Sequence, residues 1–329
     1  MILLTGATGL VGSFTARRLL ESGQKVRALV RPGSDRRLLA DVIHRIDWVE
    51  GDLLDVLALE RALDGVSQVV HAAALVSFVP RDHRLMYQIN VEGTINVVNA
   101  CLQGGVKKLL FVSSVAALGR SAKKTGPDQQ IIDEAARWEE SPLNSHYAKS
   151  KYLAELEVWR GASEGLSVVV VNPSMILGEG DWHRSSTQLF KYAYDEHAFY
   201  PEGTINYVDV LDVAEAIVQL LRADVSGERF ILNAKSLPYR DFLAKVAQAF
   251  GKKPPGIRLP RAATRVLWRL EALRSWLTGR APLITRETAQ SSGHSYVFPN
   301  DKIRRTLGLE FRSLDETIAR VVRALRARA

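Results

Sequence analysis

The feature that most constrains the fold is a glycine-rich turn at residues 5–12, which has the spacing Gly-x-x-Gly-x-x-Gly. It follows an apolar run at residues 2–4 and opens an amphipathic segment. Gly6 permits a tight turn, Gly9 lets the backbone approach a pyrophosphate, and Gly12 lets the helix pack close to the sheet. Three glycines alone also fit a purely structural turn, but a strand before and a helix after are the context that phosphate binding requires. The turn therefore predicts a nucleotide-binding βα unit.

Strand-like and helix-like patterns alternate through the first half of the chain. The strand-like runs are almost continuously apolar, which is typical of parallel strands covered on both faces. These runs are residues 2–4, 26–30, 47–49, 68–71, 109–112 and 168–171. The amphipathic segments between them are residues 11–21, 55–63, 84–102 and 148–163. This alternation predicts an α/β fold, a Rossmann-type doubly wound parallel sheet.

The pattern changes after residue 172, where the periodicity becomes irregular and turn residues become frequent. We predict a dinucleotide-binding Rossmann domain over residues 1–172, to which residues 207–233 return with a further helix and strand. Residues 173–206 and 234–329 are expected to form mainly a smaller, discontinuous C-terminal lobe that binds the substrate.

The end of the second predicted strand bears on the cofactor. NAD sites usually carry an acidic residue there, about 20 residues after the glycine turn. Here Val30 is followed by Arg31, with Arg36 and Arg37 just beyond, and no carboxylate stands at the strand end. A guanidinium at this position can bind a 2′-phosphate, so NADP is favoured over NAD, with a solvated basic loop as the alternative. Asp52, after the third strand, is expected to meet the adenine, to cap a helix, or to do both.

A tyrosine and a lysine four residues apart point to acid–base chemistry. Tyr147 and Lys151 lie on one face of a predicted helix, where a nearby ammonium would lower the phenol's pKa from its usual value near 10. Tyr147 can then act as general acid or base towards a carbonyl or alcohol. Ser113 and Ser114 follow a strand, where open α/β sheets bind ligands, and a serine hydroxyl there can hold a substrate oxygen. Alone, the Tyr-x-x-x-Lys spacing is also compatible with an exposed helix face.

Together these motifs resemble the extended short-chain dehydrogenase/reductase family over nearly the whole chain. The residues that carry the resemblance are 5–12, 52, 70–74, 90–94, 112–114, 147–151, 172–174 and 207–210, with residues 300–308 resembling the family's closing helix. The resemblance implies that Ser114, Tyr147 and Lys151 form a catalytic triad, Ser114 being chosen over Ser113 by counting back from Gly119. No metal is needed for this chemistry.

The resemblance and the strand-end pattern also imply a NAD(P) site. The expected cofactor-binding residues are Gly6, Thr8, Gly9, Leu10, Val11, Gly12, Arg31, Arg36, Asp52, Leu53, Ala72, Ala73, Ala74, Asn90, Val112, Tyr147, Lys151, Pro173 and Ser174. His71 is expected to be a packed residue beside the cofactor. The resemblance further implies a homodimer in which the segments 84–102 and 148–163 pair across a two-fold axis into a four-helix bundle.

Within the family, the chain is most similar to dihydroflavonol-4-reductase-like, 3β-hydroxysteroid-dehydrogenase-like and hopanoid-associated sugar epimerase groups. Sugar-nucleotide dehydratases carry Asp-Glu after the catalytic hydroxyl, whereas Ser114 is followed by Val115-Ala116. The Arg-Asp-aromatic run of many sugar-nucleotide enzymes is replaced by residues 204–207, Thr-Ile-Asn-Tyr. We expect an NADP(H)-dependent oxidoreductase that reduces a ketone of a small non-nucleotide substrate. The alternatives are an NAD-dependent sugar-nucleotide epimerase and a non-catalytic dinucleotide sensor.

The lobe and the composition set further expectations. Residues 174–200 include Met175, Ile176, Leu177, Trp182, Phe190, Tyr192 and Tyr194, a composition suited to binding rings or chains. The net charge of +8 comes largely from late arginines that are not interleaved with base-stacking aromatics, so no nucleic-acid partner is predicted. Residues 261–277 are amphipathic, which fits either a membrane-surface helix or, as we favour, a helix packed on the lobe.

The chain is expected to be cytoplasmic and without a transmembrane segment. It contains no apolar stretch of about 18 residues, which a membrane-spanning helix would require. Its first residues carry neither a basic region nor a cleavage site. Its one cysteine, Cys101, excludes an intrachain disulfide, which fits a reducing compartment.

Overall fold

The structure of the chain is a computed structural model that describes residues 1–120, 130–180, 182, 186–260 and 295–327. The predicted segment 261–277 lies outside the described residues. Within the described part, no helix is both long enough and apolar enough to cross a bilayer.

A seven-stranded sheet in which every neighbouring pair is parallel forms the centre of the molecule, as the sequence predicts. The strands are β1 (Ile2–Thr5), β2 (Val26–Val30), β3 (Ile46–Glu50), β4 (Gln68–His71), β5 (Lys108–Val112), β7 (Val168–Pro173) and β11 (Glu228–Leu232). Their order across the sheet is β11-β7-β5-β4-β1-β2-β3. From β1 the chain first adds β2 and β3 on one side, and it then crosses over to add β4 and the later strands on the other side. A crevice therefore forms at the carboxyl ends of β1 and β4, where such sheets bind nucleotides.

Helices cover both faces of this sheet because successive residues of each strand point to opposite sides. The helices are α1 (Leu10–Glu21), α2 (Val56–Leu63), α4 (Gly93–Gln103), α5 (His146–Ser163) and α7 (Val210–Arg222). Leu4 packs in the core shared with α1 and α7, whereas Leu3 packs in the core shared with α2, α4 and α5. This two-sided burial explains why the strands are apolar at almost every position.

The predicted amphipathic segment 84–102 is helical throughout, but it is not one regular α-helix. The segment is divided into α3 (His83–Tyr87), a π-helical turn (Gln88–Glu92) and α4. The wider turn carries Asn90, which is buried, and the Thr94 hydroxyl donates to the Asn90 carbonyl at 2.6 Å. The amide of Asn90 exchanges hydrogen bonds with the backbone of Leu75 and donates to Ser150 at 2.9 Å. The interruption therefore ties the segment after β4 to α5.

The second half of the chain is more regular than its periodicity indicates. A small sheet combines β8 (Met175–Leu177), β10 (Thr204–Asp209) and β12 (Lys235–Pro238), with β10 in the centre. Two strand pairs join β9 (Phe199–Pro201) to β13 (Ile257–Leu259) and β6 (Gln130–Ile131) to β14 (Tyr296–Val297). The helices here are α6 (Thr187–Tyr194), α8 (Tyr239–Phe250), α9 (Asp301–Leu307) and α10 (Leu314–Arg326). Strands of two to six residues are too short for a two-residue period to stand out, and the hydrophobic periodicity of this half of the sequence is therefore irregular.

Residues 207–233 divide between the two sheets. Helix α7 packs on α1, and β11 pairs with β7 in the large sheet, whereas the end of β10 pairs with β8 and β12 in the small one. Helix α9 occupies the segment that resembles a closing helix, and it ends at Gly308 in the left-handed conformation.

Candidate active site

The glycine turn forms a cradle that side chains would fill. Gly6 has φ +72°, and a Cβ there would lie 2.7 Å from the Ala73 backbone. A Cβ on Gly12 would overlap the carbonyl of Gly6, so this glycine is needed for α1 to approach the turn. Gly9 precedes α1 and offers no side-chain cap. The N–H groups of the helix's first turn, including those of Leu10 and Val11, therefore face the crevice without a capping side chain and are suited to bind phosphate.

The floor of the cradle is the segment after β4. Ala73 donates its N–H to the Thr5 hydroxyl at 3.3 Å, and the same hydroxyl lies 2.7 Å from Nδ1 of His71. The other ring nitrogen of His71 lies 3.0 Å from the Thr94 hydroxyl. Complete burial, with a smaller contribution from the charge of Lys151, lowers the pKa of His71 to about 3. His71 is therefore neutral at pH 7 and joins β1, β4 and α4 behind the cradle.

The arginines beyond β2 occupy different environments. Arg31 is exposed, and its guanidinium makes no hydrogen bond or ion pair with any residue that the structure describes. The Arg36 guanidinium lies 4.5 Å above the ring of Trp48 and 3.5 Å from Glu50. Arg31 is therefore the more available of these two predicted ligands for an anionic group.

The residues after β3 correct one expectation. Asp52 does not cap helix α2: the carboxylate of Asp55 does so by accepting the N–H of Ala58 at 3.1 Å. Asp52 instead accepts the N–H of Leu54 at 3.0 Å within the turn. Asp55 wins because it is the residue directly before the helix, where an oxygen can reach the free N–H groups. The side chain of Leu53 is buried against Gly93.

Ser114 and Tyr147 are brought together by two capping arrangements. The Ser145 hydroxyl accepts the N–H of Ala148 at 3.0 Å, so helix α5 begins immediately before Tyr147. Ser114 begins a short 3₁₀ turn beyond β5; its hydroxyl accepts the N–H of Ala116 at 3.1 Å and lies close enough to the Tyr147 phenol to lower the pKa of that phenol. Ser113 points away and donates to Glu155 at 2.6 Å. The geometry therefore favours Ser114 over Ser113 as the partner of Tyr147.

The sequence predicts that a nearby ammonium lowers the pKa of the Tyr147 phenol, but in the structure this pKa is raised. Burial raises it, and only the nearby Ser114 hydroxyl opposes this effect. The ammonium of Lys151 donates to the carbonyl of Val112 at 2.9 Å and lies 4.1 Å above the Phe111 ring. Burial lowers the pKa of Lys151 to about 7, and the charge of Glu155 opposes this shift. Tyr147 is thus held in its protonated form, which is the form that a general acid requires, and Lys151 titrates near neutrality.

The ends of β4 and β7 complete the crevice. Asn90 uses its side-chain amide in the contacts described above, so it holds the segment containing Leu75. Ser174, directly after Pro173, has a buried hydroxyl without a hydrogen-bond partner in the described structure. An orphaned polar atom of this kind fits a ligand that supplies the missing partner. The glycine cradle and this hydroxyl are together compatible with a bound dinucleotide.

No group of three or more His, Cys, Asp and Glu side chains that could hold a metal ion is found in the described parts of the chain.

Several aromatic residues of the lobe pack on one another. Phe190 and Leu177 are completely buried, and Phe190 meets the ring of Phe242 edge-on at 6.0 Å. Trp182 and Tyr194 pack against each other at 5.4 Å and against Phe250. Mutual packing buries more apolar surface than separate exposed rings would. Phe190 and Leu177 belong to the core of the lobe and Trp182 packs against it, whereas Tyr194 is 39% exposed.

Sequence reasoning missed a group of polar residues behind the triad. Glu155 is buried on α5, one turn after Lys151, and bonds to Asn172 and Arg229 from two neighbouring strands. The one available signal was a carboxylate continuing the face of Tyr147 and Lys151.

Comparisons with known proteins agree with this architecture. Residues 2–233 match the model of the NAD dependent epimerase/dehydratase family. A Synechocystis protein named "Putative dihydroflavonol 4-reductase" is 30% identical, covering 97% of this chain and 92% of its own length. Cinnamoyl-CoA reductase 1 of Petunia hybrida is 26% identical, covering 99% of this chain and 92% of its own.

Solved structures share the fold over the full chain. The crystal structure of gox2253 has a TM-score of 0.85 and 34% identity, covering 100% of this chain and 98% of its own. UDP-glucose 4-epimerase of Thermotoga maritima has a TM-score of 0.78 and 21% identity, covering 99% of each chain. The second likeness, at this identity, bears on the fold alone.

Proposed function

The chain belongs to the NAD-dependent epimerase/dehydratase family, and we propose that it uses NADPH to reduce a ketone of a small, non-nucleotide substrate. It is an NAD(P)-dependent enzyme of the extended short-chain dehydrogenase/reductase type. The observation that carries the finer proposal is the end of β2, where Arg31 is exposed and β2 is not followed by a carboxylate. A guanidinium here suits a 2′-phosphate, and NADPH is the cofactor of net reduction.

Ser114, Tyr147 and Lys151 carry the proposed chemistry. NADPH, when bound, supplies the hydride for the carbonyl carbon. The Ser114 hydroxyl holds the carbonyl oxygen beside the phenol, and Tyr147 gives its proton to that oxygen, forming the alcohol. Lys151 stabilises the phenolate that Tyr147 becomes, and solvent returns the proton. The glycine cradle, Arg31 and the hydroxyl of Ser174 would hold the cofactor.

Two features support a reductase over the other activities of the family. Relatives that match nearly the whole chain bear reductase names. Ser114 is followed by Val115 and Ala116, so the two positions at which dehydratases carry Asp-Glu offer no carboxyl group for a dehydration. These names also speak for an enzyme rather than a non-catalytic dinucleotide sensor.

An NAD-dependent sugar-nucleotide epimerase is the second candidate. It is supported by the match of residues 2–233 to the model of the NAD dependent epimerase/dehydratase family. An epimerase regenerates its cofactor in each cycle, so it would show no net consumption of NADPH.

The deciding experiment follows NADPH absorbance with aryl ketones, dihydroflavonols and 3-ketosteroids, in parallel with an assay of UDP-sugar interconversion. Net oxidation of NADPH with a ketone is the expected result. Interconversion of UDP-sugars without NADPH consumption, together with no ketone activity, would establish the second candidate instead.

We also propose a homodimer formed through α4 and α5, which pack side by side. Leu156 on α5 is 43% exposed and Leu85 on α3 is 50% exposed, so an interface on this face would remove apolar surface from water. Light scattering at micromolar protein is expected to give twice the chain mass, and Leu156→Asp to give the mass of one chain. A single-chain mass for the unmutated protein would refute the dimer.

A further inference from the structure

Glu155 is a buried carboxylate that accepts four hydrogen bonds. Its exposed fraction is 3%. Oε2 accepts from the hydroxyl of Ser113 at 2.6 Å and from Nδ2 of Asn172 at 2.9 Å. Oε1 accepts from Nη1 of Arg229 at 3.2 Å and from Nε1 of Trp159 at 3.3 Å. The Asn172, Arg229 and Trp159 nitrogens can only donate, so three of the four partners require an acceptor oxygen at this position.

This carboxylate lies at the point where three segments meet the triad. The carbonyl of Val112 accepts from Lys151 at 2.9 Å, and the carbonyl of Ser114 accepts from Asn172 at 3.0 Å. Ser113, between them, is held by Glu155. Three consecutive residues, the last of β5 and the two that follow it, are thus fixed from α5 and β7, and Asn172 joins Glu155 to the Ser114 backbone. The position of the Ser114 hydroxyl beside Tyr147 depends on this set of bonds.

We propose that Glu155 is a positioning residue for the reaction: through Ser113 and Asn172 it fixes Ser114 against Tyr147. The proposal rests on the proposed function only in assigning the chemistry to Ser114, Tyr147 and Lys151. Glu155 itself touches none of the reacting atoms. A displacement of about 1 Å in such a group can reduce turnover on the order of a hundredfold.

The charge of Glu155 has a second effect, on Lys151. The charged or titratable groups that face this region are Arg229 from β11, Lys151 on α5, and His71 from β4, which is neutral at pH 7. Arg229 is further bound to the carbonyls of Glu134 and Ala136. Because Glu155 opposes the lowering of the Lys151 pKa, loss of its charge moves that pKa below about 7. Lys151 must be protonated to stabilise the phenolate, so the alkaline limb of the activity profile would move to lower pH.

The decisive variant is Glu155→Gln, which keeps the shape but turns one acceptor into a donor. Its amide N–H₂ must face either Ser113 and Asn172 or Arg229 and Trp159. In the first orientation the Asn172 N–H₂ loses its acceptor, because only the Ser113 hydroxyl can turn to accept; in the second, both Arg229 and Trp159 lose theirs. We expect kcat to fall by roughly ten- to a hundredfold. The KM for NADPH and the cofactor affinity should change little, and the alkaline limb should move to lower pH.

The matched control is Glu157→Gln, which removes the same charge from the same helix. Glu157 is 28% exposed and pairs with Arg160 at 2.8 Å, without contact to the segment after β5. Its kcat and pH profile should equal those of the unmutated protein. If Glu155→Gln does not fold, Ser113→Ala removes one donor and keeps the charge. A lower kcat with an unmoved pH profile is then expected. Wild-type kcat and an unmoved profile in Glu155→Gln, or wild-type kcat in Ser113→Ala where it replaces that variant, would overturn the proposal.

The outcome for Glu155 is separable from that for the substrate. The variants are assayed in whichever hydride-transfer reaction the unmutated protein supports. If the unmutated protein interconverts UDP-sugars and Glu155→Gln lowers the kcat of that reaction, the ketone substrate is refuted and the positioning role of Glu155 is supported. If neither reaction is found, hydrogen exchange of the peptide containing residues 113–118 decides. Faster exchange in Glu155→Gln than in Glu157→Gln supports the positioning role of Glu155, and equal exchange overturns it.

Discussion

The carboxyl edge of the seven-stranded sheet and the small lobe are built by different interactions. At the edge, side chains are hydrogen-bonded to the backbone of neighbouring strands, as Lys151 is to Val112 and Asn172 is to Ser114. In the lobe, rings pack on rings, as Trp182 does on Phe250. Hydrogen bonds fix distance and direction together, whereas apolar packing tolerates many side-chain combinations of similar volume. The difference teaches that directional bonds fix the side chains at the sheet edge, whereas the packing of the lobe tolerates substitutions of similar volume.

The largest expected effect tests the sheet edge directly. Tyr147→Phe keeps a ring against Phe78, 6.0 Å away, but removes the proton donor. We expect kcat to fall by about 10²–10⁴-fold with unchanged cofactor binding. Lys151→Met should weaken both, because the ammonium is expected to serve the phenol and the cofactor ribose. Steady-state rates and a fluorescence titration with NADPH measure the two quantities.

The control for this prediction lies on the same helix. Tyr152 stacks on Trp138 at 4.5 Å, away from Ser114. Tyr152→Phe should keep nearly full activity. A Tyr147→Phe enzyme as active as Tyr152→Phe would contradict the assignment of Tyr147 as general acid.

Much of the sheet could be predicted because local patterns are sufficient there. The bounds of β2 and β4 agree with their apolar runs, since both faces of each strand are buried. The glycine turn could be predicted because its glycines stand directly between an apolar strand pattern and an amphipathic helix pattern. The π-helical turn around Asn90 was not, because helical periodicity is nearly the same on either side of it.

The rest of the site depends on contacts between distant segments. The role proposed for Glu155 depends on Ser113 just after β5, Asn172 on β7 and Arg229 on β11, and no single window of sequence contains all three. The aromatic composition of residues 174–200 suggested a pocket, yet Phe190 is core because α8 covers it. Composition indicates that apolar surface exists, but only the fold shows which elements bury it.

The second prediction concerns how the free energy of unfolding depends on pH, and it compares His71 at the sheet edge with His197 in the lobe. His71 has a pKa of about 3 in the fold and about 6.5 when unfolded. Between these values the unfolded chain binds the extra proton, so the free energy of unfolding falls as pH falls. This one residue should cost about 2 kcal/mol between pH 6.5 and pH 5, which urea unfolding at several pH values measures.

A neutral replacement should flatten that dependence. His71→Asn removes the titrating ring and should lower the slope of unfolding free energy against pH in this window. His197, which is exposed in the lobe and stacks on Tyr192 at 4.3 Å, is the matched control. An equal slope in His71→Asn and His197→Asn would mean that the interior of the sheet edge is open to protons.

The third prediction concerns the free guanidinium at the end of β2. Arg31→Asp should weaken NADP binding by about 2 kcal/mol, since a charge-assisted pair with the 2′-phosphate is lost and repulsion is added. NAD binding should be retained or improved, so the preference moves towards NAD. Titration of the unmutated protein and the variant with both cofactors measures the change. Equal affinity of the unmutated protein for NAD and NADP would show that Arg31 is only a solvated loop residue.

The smallest effect is expected for Arg36, and it separates the two arginines. Its guanidinium already lies 4.5 Å above Trp48 and 3.5 Å from Glu50, so turning towards a phosphate would sacrifice both contacts. Exposed pairs of this kind contribute about 0–1 kcal/mol, and the gain from a phosphate contact is reduced by the same amount. Arg36→Ala should therefore change NADP affinity by less than about fivefold, well below the effect of Arg31→Asp. A larger loss in Arg36→Ala than in Arg31→Asp, measured in the same titration, would assign the 2′-phosphate to Arg36. The stacked pair would then be a contact that the cofactor displaces.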